Sequence, residues 1–196
     1  ALGEIETEVI TSTGLVVEQI SEFAAERQAD LIVMETSGAS GIKEIFVGTH
    51  SEETTRKAPC PVLIFPEGHS TVSIQKICIA VDDTIKDYSS KLMILKDIAI
   101  LYSADIHIIH IEDKPDIAIK NQLEKTLREI FNGVNFTFNI IKSDDVEESI
   151  FRFIENQHTD LLALVYHKQN IFNRLMKKSV TTNVAYHTDI PLLVLK

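Results

Sequence analysis

A doubly wound α/β fold on a mostly parallel sheet, present as one five-stranded copy and one partial copy, is predicted by three observations. Apolar strand-like runs alternate with segments of helical spacing, the pattern of βαβ units with right-handed crossovers. Several of those runs, Leu31 to Met34, Val62 to Phe65 and Leu192 to Leu195, are short and wholly apolar. Strands covered by helices on both faces read that way. The third observation is a repeat. Asp30-Leu31-Ile32-Val33-Met34 returns as Asp160-Leu161-Leu162-Ala163-Leu164, at an offset of 130. At the same offset Pro61-Val62-Leu63-Ile64-Phe65 falls on Pro191-Leu192-Leu193-Val194-Leu195, and Ile20 and Phe23 fall on Ile150 and Phe153. Three separate elements agree without a gap.

Each element follows from its local pattern. Ile5 to Ile10 is strand-like, and Val16 to Arg27 places Val16, Ile20, Phe23 and Ala24 at helical spacing. The strand Leu31 to Met34 comes next, then a Gly-rich loop, a helix over about Ser51 to Lys57 and the strand Val62 to Phe65. Glu67 to Ser73 is polar and contains Gly68, so residues 68–73 read as a linker between a first module, 1–67, and a second, 74–196. The second module runs through strand Ile74 to Val81, helix Ser89 to Ser103, strand Asp105 to Ile111 and helix Ile117 to Phe131. Strand Phe136 to Ile141, helix Val146 to Gln157, strand Leu161 to Tyr166, a helix near Val180 to Ala185 and strand Leu192 to Leu195 complete it. The first module shows only the last three of those five strands. An equivalent of about Ile74 to Val134 is absent ahead of Ala1, which predicts a fragment, a cleavage product or a truncated form. The alternative is a short native chain whose half module completes itself against another molecule.

Composition narrows the function classes. The chain has 196 residues, 44% of them hydrophobic and 24% charged, enough to bury a sizeable core without disulfides or metals. A formal net charge of −10, with both signs interspersed, argues against nucleic acid or an anionic membrane as a partner. Cys60 and Cys78, the two cysteines, sit in or beside apolar runs and read as small buried thiols. Such sparse cysteine fits a reducing compartment. No apolar run approaches the roughly 18 residues of a membrane span. Ala1-Leu2-Gly3-Glu4 lacks the basic and apolar regions of a signal peptide. The expected location is the cytoplasm.

Candidate chemistry is sparse. His107 and His110 lie three apart in a strand, so alternation puts them on opposite faces and argues against joint metal ligation. His50, His69, His158, His167 and His187 are scattered at loops or element ends and read as surface or capping residues. Asp144-Asp145 precedes a helix and suits its positive N-terminus. No nucleophile elbow and no P-loop is present. The sequence makes no positive case for an enzyme and names no catalytic or metal residue.

The loop holding Gly38 and Gly48-Thr49, directly ahead of Ser51-Glu52-Glu53, carries the sharpest signal. Glycines let the backbone approach phosphate oxygens closely, and consecutive N–H groups at a helix start form an anion nest. Doubly wound sheets bind ligands beyond the carboxyl ends of their strands. The competing reading is a loop that merely turns the chain.

Asp30 to Pro66 resembles the C-terminal half of a universal stress protein domain. That family's signature is Gly-x2-Gly-x9-Gly-Ser/Thr, closed by a Pro-Val-Leu-Val-type strand. Gly38, nine residues and Gly48-Thr49 match its second and third glycines and its hydroxyl, and Glu35 replaces the first glycine. Ile77-Cys78-Ile79-Ala80-Val81-Asp82-Asp83 resembles the family's first strand and acidic residue. The resemblance implies a Rossmann-like, five-stranded fold of the adenine nucleotide alpha hydrolase type. It implies ATP with Mg²⁺, as a ligand rather than a required cofactor, held by Gly38, Gly48 and Thr49, with Asp82 as a relic nucleoside contact. It further implies a stress-response regulatory role and pairing through the last strands, Val62 to Phe65 and Leu192 to Leu195, by self-association or as an internal pseudo-dimer. The alternative is an interaction scaffold that binds no nucleotide. Glu35 places a carboxylate near the expected phosphates, opposing them by about 1 kcal/mol or more unless Mg²⁺ or Lys43 compensates. In the second module Val165, Lys168 and Lys178 stand at the three glycine positions, and Ser179 keeps the hydroxyl. The bulky segment His167 to Arg174 obstructs a phosphate cradle there. A different anion site of His167, Lys168, Arg174, Lys177 and Lys178 competes with a solvated basic face.

Overall fold

Alternation and capping set the elements. A computed structural model describes residues 6–35, 49–69, 73–82, 85–113, 116–166 and 190–196. Helix α1 (Val16–Glu26) leads to β1 (Ile32–Glu35), α2 (Thr49–Lys57) and β2 (Val62–Phe65). After residue 73 come β3 (Lys76–Val81), a 3-10 helix (Ile85–Leu92) running directly into α3 (Met93–Tyr102), and β4 (Asp105–Glu112). Helix α4 (Ile117–Ile130), β5 (Phe136–Lys142), α5 (Val146–Gln157), β6 (Leu161–Val165) and β7 (Leu192–Leu195) follow. The helix read near Val180 to Ala185 lies outside the described residues.

Helix ends explain several boundaries. The Asp145 carboxylate accepts the Glu148 N–H at 3.0 Å and starts α5, as the paired acids suggested. Asp116 does the same for α4 through the Ala118 N–H at 2.7 Å. His158 closes α5 in the left-handed conformation with φ 52°, and Gln28, its equivalent at the repeat offset, follows α1 with φ 51°. The repeat therefore reaches the backbone as well as the side chains.

The described strands all join one seven-stranded sheet of order β1-β2-β7-β6-β3-β4-β5. Every neighbouring pair is parallel except β2 and β7, which run antiparallel with Val62 opposite Val194, Leu63 opposite Leu193 and Ile64 opposite Leu192. The last strands of the two copies thus cover each other's edges, removing two exposed apolar rows. Helices lie on both faces. On one face Ile77, Ile79, Ile106, Ile108, Leu63 and Leu193 pack with Leu92, Leu95, Leu127 and Phe131 from α3, α4 and their ends. On the other, Cys78, Ala80, Ile109, Leu162, Val62 and Val194 pack with Ala24 of α1 and Ile150 and Ile154 of α5. Burying each large aliphatic side chain contributes about 1.5–3 kcal/mol. Both cysteines are free and buried, as expected, and desolvation pushes the Cys78 thiol up to about 12.

One expected element is missing. Ile5 to Ile10 reads as a strand, yet residues 6–10 form none, and Val9 is 93% exposed; residue 5 lies outside the described set. At the repeat offset this segment matches Phe136 to Ile140 of β5, whose described partner is β4. No residues of this sequence stand at the β4 position of the first copy. Without a ladder partner, the backbone gains nothing by extending.

Candidate functional site

The candidate phosphate site lies at the carboxyl end of the β1–β2 pair. β1 ends at Glu35, and α2 opens at Thr49 and descends toward the start of β2. The N-terminus of α2, the positive end of its dipole, is therefore at the end of the sheet where β1 and β2 finish. Gly38, Gly48 and Lys43 fall outside the described residues, and of Thr49 only its place at the helix start is described.

Helix α2 is short and polar, and it is tied to α1 and to the residue after β7. Ser51, Thr54 and Thr55 are buried, and the Thr55 hydroxyl donates to the Ser51 carbonyl at 2.8 Å. Lys57 bonds Glu18 of α1 at 2.6 Å and Glu53 at 3.0 Å. These hydrogen bonds raise the Lys57 ammonium above its ordinary value, and the one from Lys57 lowers the Glu18 carboxyl. Lys196, just past β7, donates to the Arg56 carbonyl at 2.9 Å near the helix C-terminus, where a cation is favoured. Desolvation, then the charge of Lys91, holds that ammonium below its usual range.

Glu35 has a partner that the sequence did not reveal. Its Oε1 accepts the Gly68 N–H at 2.9 Å. Gly68 has φ 75°, so a glycine suits this turn, where it draws the carboxylate toward the segment leaving β2. Glu35 thus ties the end of β1 to the linker turn.

The second candidate end is separate. Asp82 follows β3 and is half-buried. Because β2 and β7 are antiparallel, the carboxyl ends of β1 and β2 point to the opposite end of the sheet from those of β3, β4, β6 and β7. Asp82 and Thr49 therefore cannot serve one ligand. Sequence reasoning missed His110 and Glu112 beside this second end. His110 is 4% exposed, and its Nδ1 donates to the Val81 carbonyl at 3.0 Å. Its Nε2 stands 3.9 Å from Glu112. Two polar residues at a spacing of two at the end of a strand rich in isoleucine were the available signal. They share a face with Ile106 and Ile108, whereas Asp82 follows Cys78 and Ala80 on the other face. His107 lies on the face opposite His110, as predicted. Its Nδ1 is 3.1 Å from the Thr137 hydroxyl, its ring packs 6.1 Å from Phe153, and desolvation, then Lys76, lowers its pKa.

Val165, at the end of β6, is buried where the signature has a glycine. His167, Lys168, Arg174, Lys177, Lys178 and Ser179 lie outside the described residues, as does the proposed anion site they make up. Among the described residues no group of three or more His, Cys, Asp or Glu side chains is placed to hold a metal ion. No described helix is long and apolar enough to cross a membrane.

Parallel strands with helices on both faces define a Rossmann-like α/β protein. The sequence profile of the universal stress protein family matches residues 1–66 and 73–196, and the chain belongs to that family. A universal stress protein of Methanocaldococcus jannaschii is 41% identical over 61 residues, 31% of this chain and 35% of that protein. One from Synechocystis is 24% identical over 194 residues, 96% of this chain and 65% of that protein. The crystal structure of a universal stress protein from Archaeoglobus fulgidus superposes with a TM-score of 0.65 at 20% identity, over 92% of this chain and 64% of that one. The chain thus spans about a third of the first relative's length and just under two thirds of the other two.

Proposed function

We propose that this chain is part of a cytoplasmic stress-response regulator whose first copy, residues 1–67, binds an adenine nucleotide. ATP with Mg²⁺ is the ligand of choice, with phosphates against Gly38, Gly48 and Thr49, and no catalytic residue is invoked. The observation that carries this reading is the start of α2 at Thr49, immediately after Gly48, at the carboxyl end of β1 and β2. Backbone N–H groups there point out of the helix toward an anion, and the dipole favours it. The Glu35–Gly68 bond supports the reading as well, since a carboxylate engaged by a backbone N–H is drawn away from incoming phosphates. In the second copy, residues 74–196, the glycine positions are Val165, Lys168 and Lys178, so Asp82 is read as a relic.

A second reading is favoured by the antiparallel β2–β7 junction, which makes an internal pseudo-dimer of the two copies across the 68–73 linker. On that reading the chain is an interaction scaffold. Calorimetric titration of ATP with Mg²⁺ separates the two. Saturable binding is expected, weakened about tenfold or more by Thr49→Ala through loss of a hydrogen bond to a charged oxygen. Absence of heat at millimolar ATP leaves the scaffold.

A further inference from the structure

The linker between the two copies begins at the candidate phosphate site. Because β2 and β7 are antiparallel, β1 and β2 finish at the end of the sheet where β3 begins. The chain leaving β2 therefore starts at the end that holds Thr49, and it is tied at two points. Glu35, opposite Phe65 in the β1–β2 ladder, accepts the Gly68 N–H at 2.9 Å. Further on, Asp160 of the second copy accepts the N–H groups of Gln75 and Lys76 at 2.8 and 2.9 Å. The turn around Gly68 is closed by the His69 N–H, which donates to the Pro66 carbonyl at 3.2 Å, and the His69 ring stands 5.7 Å from that of Phe65. Gly68 has φ 75°, and a Cβ there would meet nothing within 4 Å. Backbone conformation, not space, calls for glycine. The arrangement belongs to the first copy, since Val165, buried at the end of β6, stands at the offset position of Glu35.

We infer that the Glu35–Gly68 bond is a latch through which the linker controls nucleotide affinity at the first copy; the inference rests on the nucleotide reading above. The Glu35 carboxylate has two states. Bonded to Gly68, its charge is engaged by a backbone N–H of the linker turn. Released, it stands unengaged at the carboxyl end of β1, the end at which α2 begins, and repels phosphate oxygens there. A linker held in this turn therefore raises affinity, and a linker drawn out of it lowers affinity. Both partners are exposed, so the bond opens readily, as a two-state element must. Linkage makes the control mutual, because a bound nucleotide favours the closed turn by the factor that the closed turn favours the nucleotide. Only residues 69–74 separate Gly68 from the Asp160 clamp at Gln75. A shift of the second copy against the first is thereby carried to Glu35.

Calorimetry with ATP and Mg²⁺, together with amide exchange at Gly68 followed by NMR, tests the latch. Gly68→Pro removes the N–H and is expected to weaken ATP binding about fivefold, equivalent to about 1 kcal/mol. In a Glu35→Gln background no charge is released, and the same substitution is expected to change affinity by less than about twofold. In the wild-type chain saturating ATP is expected to slow exchange of the Gly68 amide by the same factor of about five. In Glu35→Gln that amide is expected to ignore ATP. Equal weakening in both backgrounds assigns the effect to the shape of the turn and overturns the latch. So does a wild-type Gly68 amide that is indifferent to bound ATP, a result that needs no Gly68 variant to fold. Binding confined to Glu35→Gln overturns it too, since the bond then never holds the charge off the phosphates. No binding in either background removes the nucleotide reading itself, and the latch with it.

Discussion

Helices α1 and α5 start from nearly the same apolar pattern and meet different fates. Ile150 of α5 is fully buried in the cluster that includes β3 and β4 residues, and Val146 and Phe153 pack half-buried against it. Val16 of α1 is 53% exposed, and Ile20 and Phe23 are half-buried. The ends differ too. Asp145 caps α5 with its side chain, whereas Leu15 at the same place in α1 makes no side-chain cap bond. Asp160 Oδ2 accepts the N–H groups of Gln75 and Lys76 at 2.8 and 2.9 Å and stitches β3 to the start of β6. Asp30, its equivalent, has no described strand in that position to hold. An amphipathic stripe is thus a property of the sequence, and burial is a property of what lies beneath it.

Substitutions at paired positions can break that contrast. The largest effect is expected for Ile150→Ala, a loss of about 2–5 kcal/mol in urea unfolding, against less than about 1 kcal/mol for Ile20→Ala. Equal losses would mean that the α1 stripe is covered after all. Next comes Asp160→Ala, which strands two backbone N–H groups and costs about 1–3 kcal/mol. Asp30→Ala is expected to stay within about 0.5 kcal/mol, as exposed substitutions do. Amide exchange at Gln75 and Lys76 should quicken in the first variant and not in the second.

Caps sharpen the comparison further. Asp145→Ala is expected to lower stability by about 1 kcal/mol, and Leu15→Asp to raise it by about 0.5–1 kcal/mol, both read from thermal melts. The extended backbone of Leu15, φ −76° and ψ 121°, already suits a capping side chain. The smallest effect is a pH dependence confined to the second copy. His107 titrates below the ordinary imidazole value of 6.5, first through desolvation and then through Lys76. The unfolded chain therefore binds the proton more readily. The stabilisation is complete above pH 6.5 and is lost as the pH falls through the lower folded value. His107→Gln should flatten the stability profile in that window and leave it unchanged at pH 8. A variant retaining the full slope would assign it to another group.

Local pattern made most elements legible. α5 spans Val146–Gln157 and β2 and β7 span Val62–Phe65 and Leu192–Leu195, as read from periodicity and length. The segment at residues 6–10 was misread because strand propensity is local and strand pairing is not. Buried polar groups were also illegible. Ser51, Thr54 and Thr55 give α2 a polar sequence, yet they lie inside because α1 and β2 pack against it. His110 was read only as half of a strand pair facing away from His107, and its acceptor, the Val81 carbonyl, was not visible in the sequence.

By itself the sequence determined the repeat, the order of strands and helices and the family, since periodicity, caps and motif spacing are written residue by residue. Tertiary structure decided which apolar faces are covered, that β2 and β7 meet antiparallel, and that Glu35 bonds the turn at Gly68. It also sent the two candidate crevices to opposite ends of one sheet. Each of those outcomes depends on a partner distant in the chain, and hydrogen bonds and burial are made only when that partner arrives.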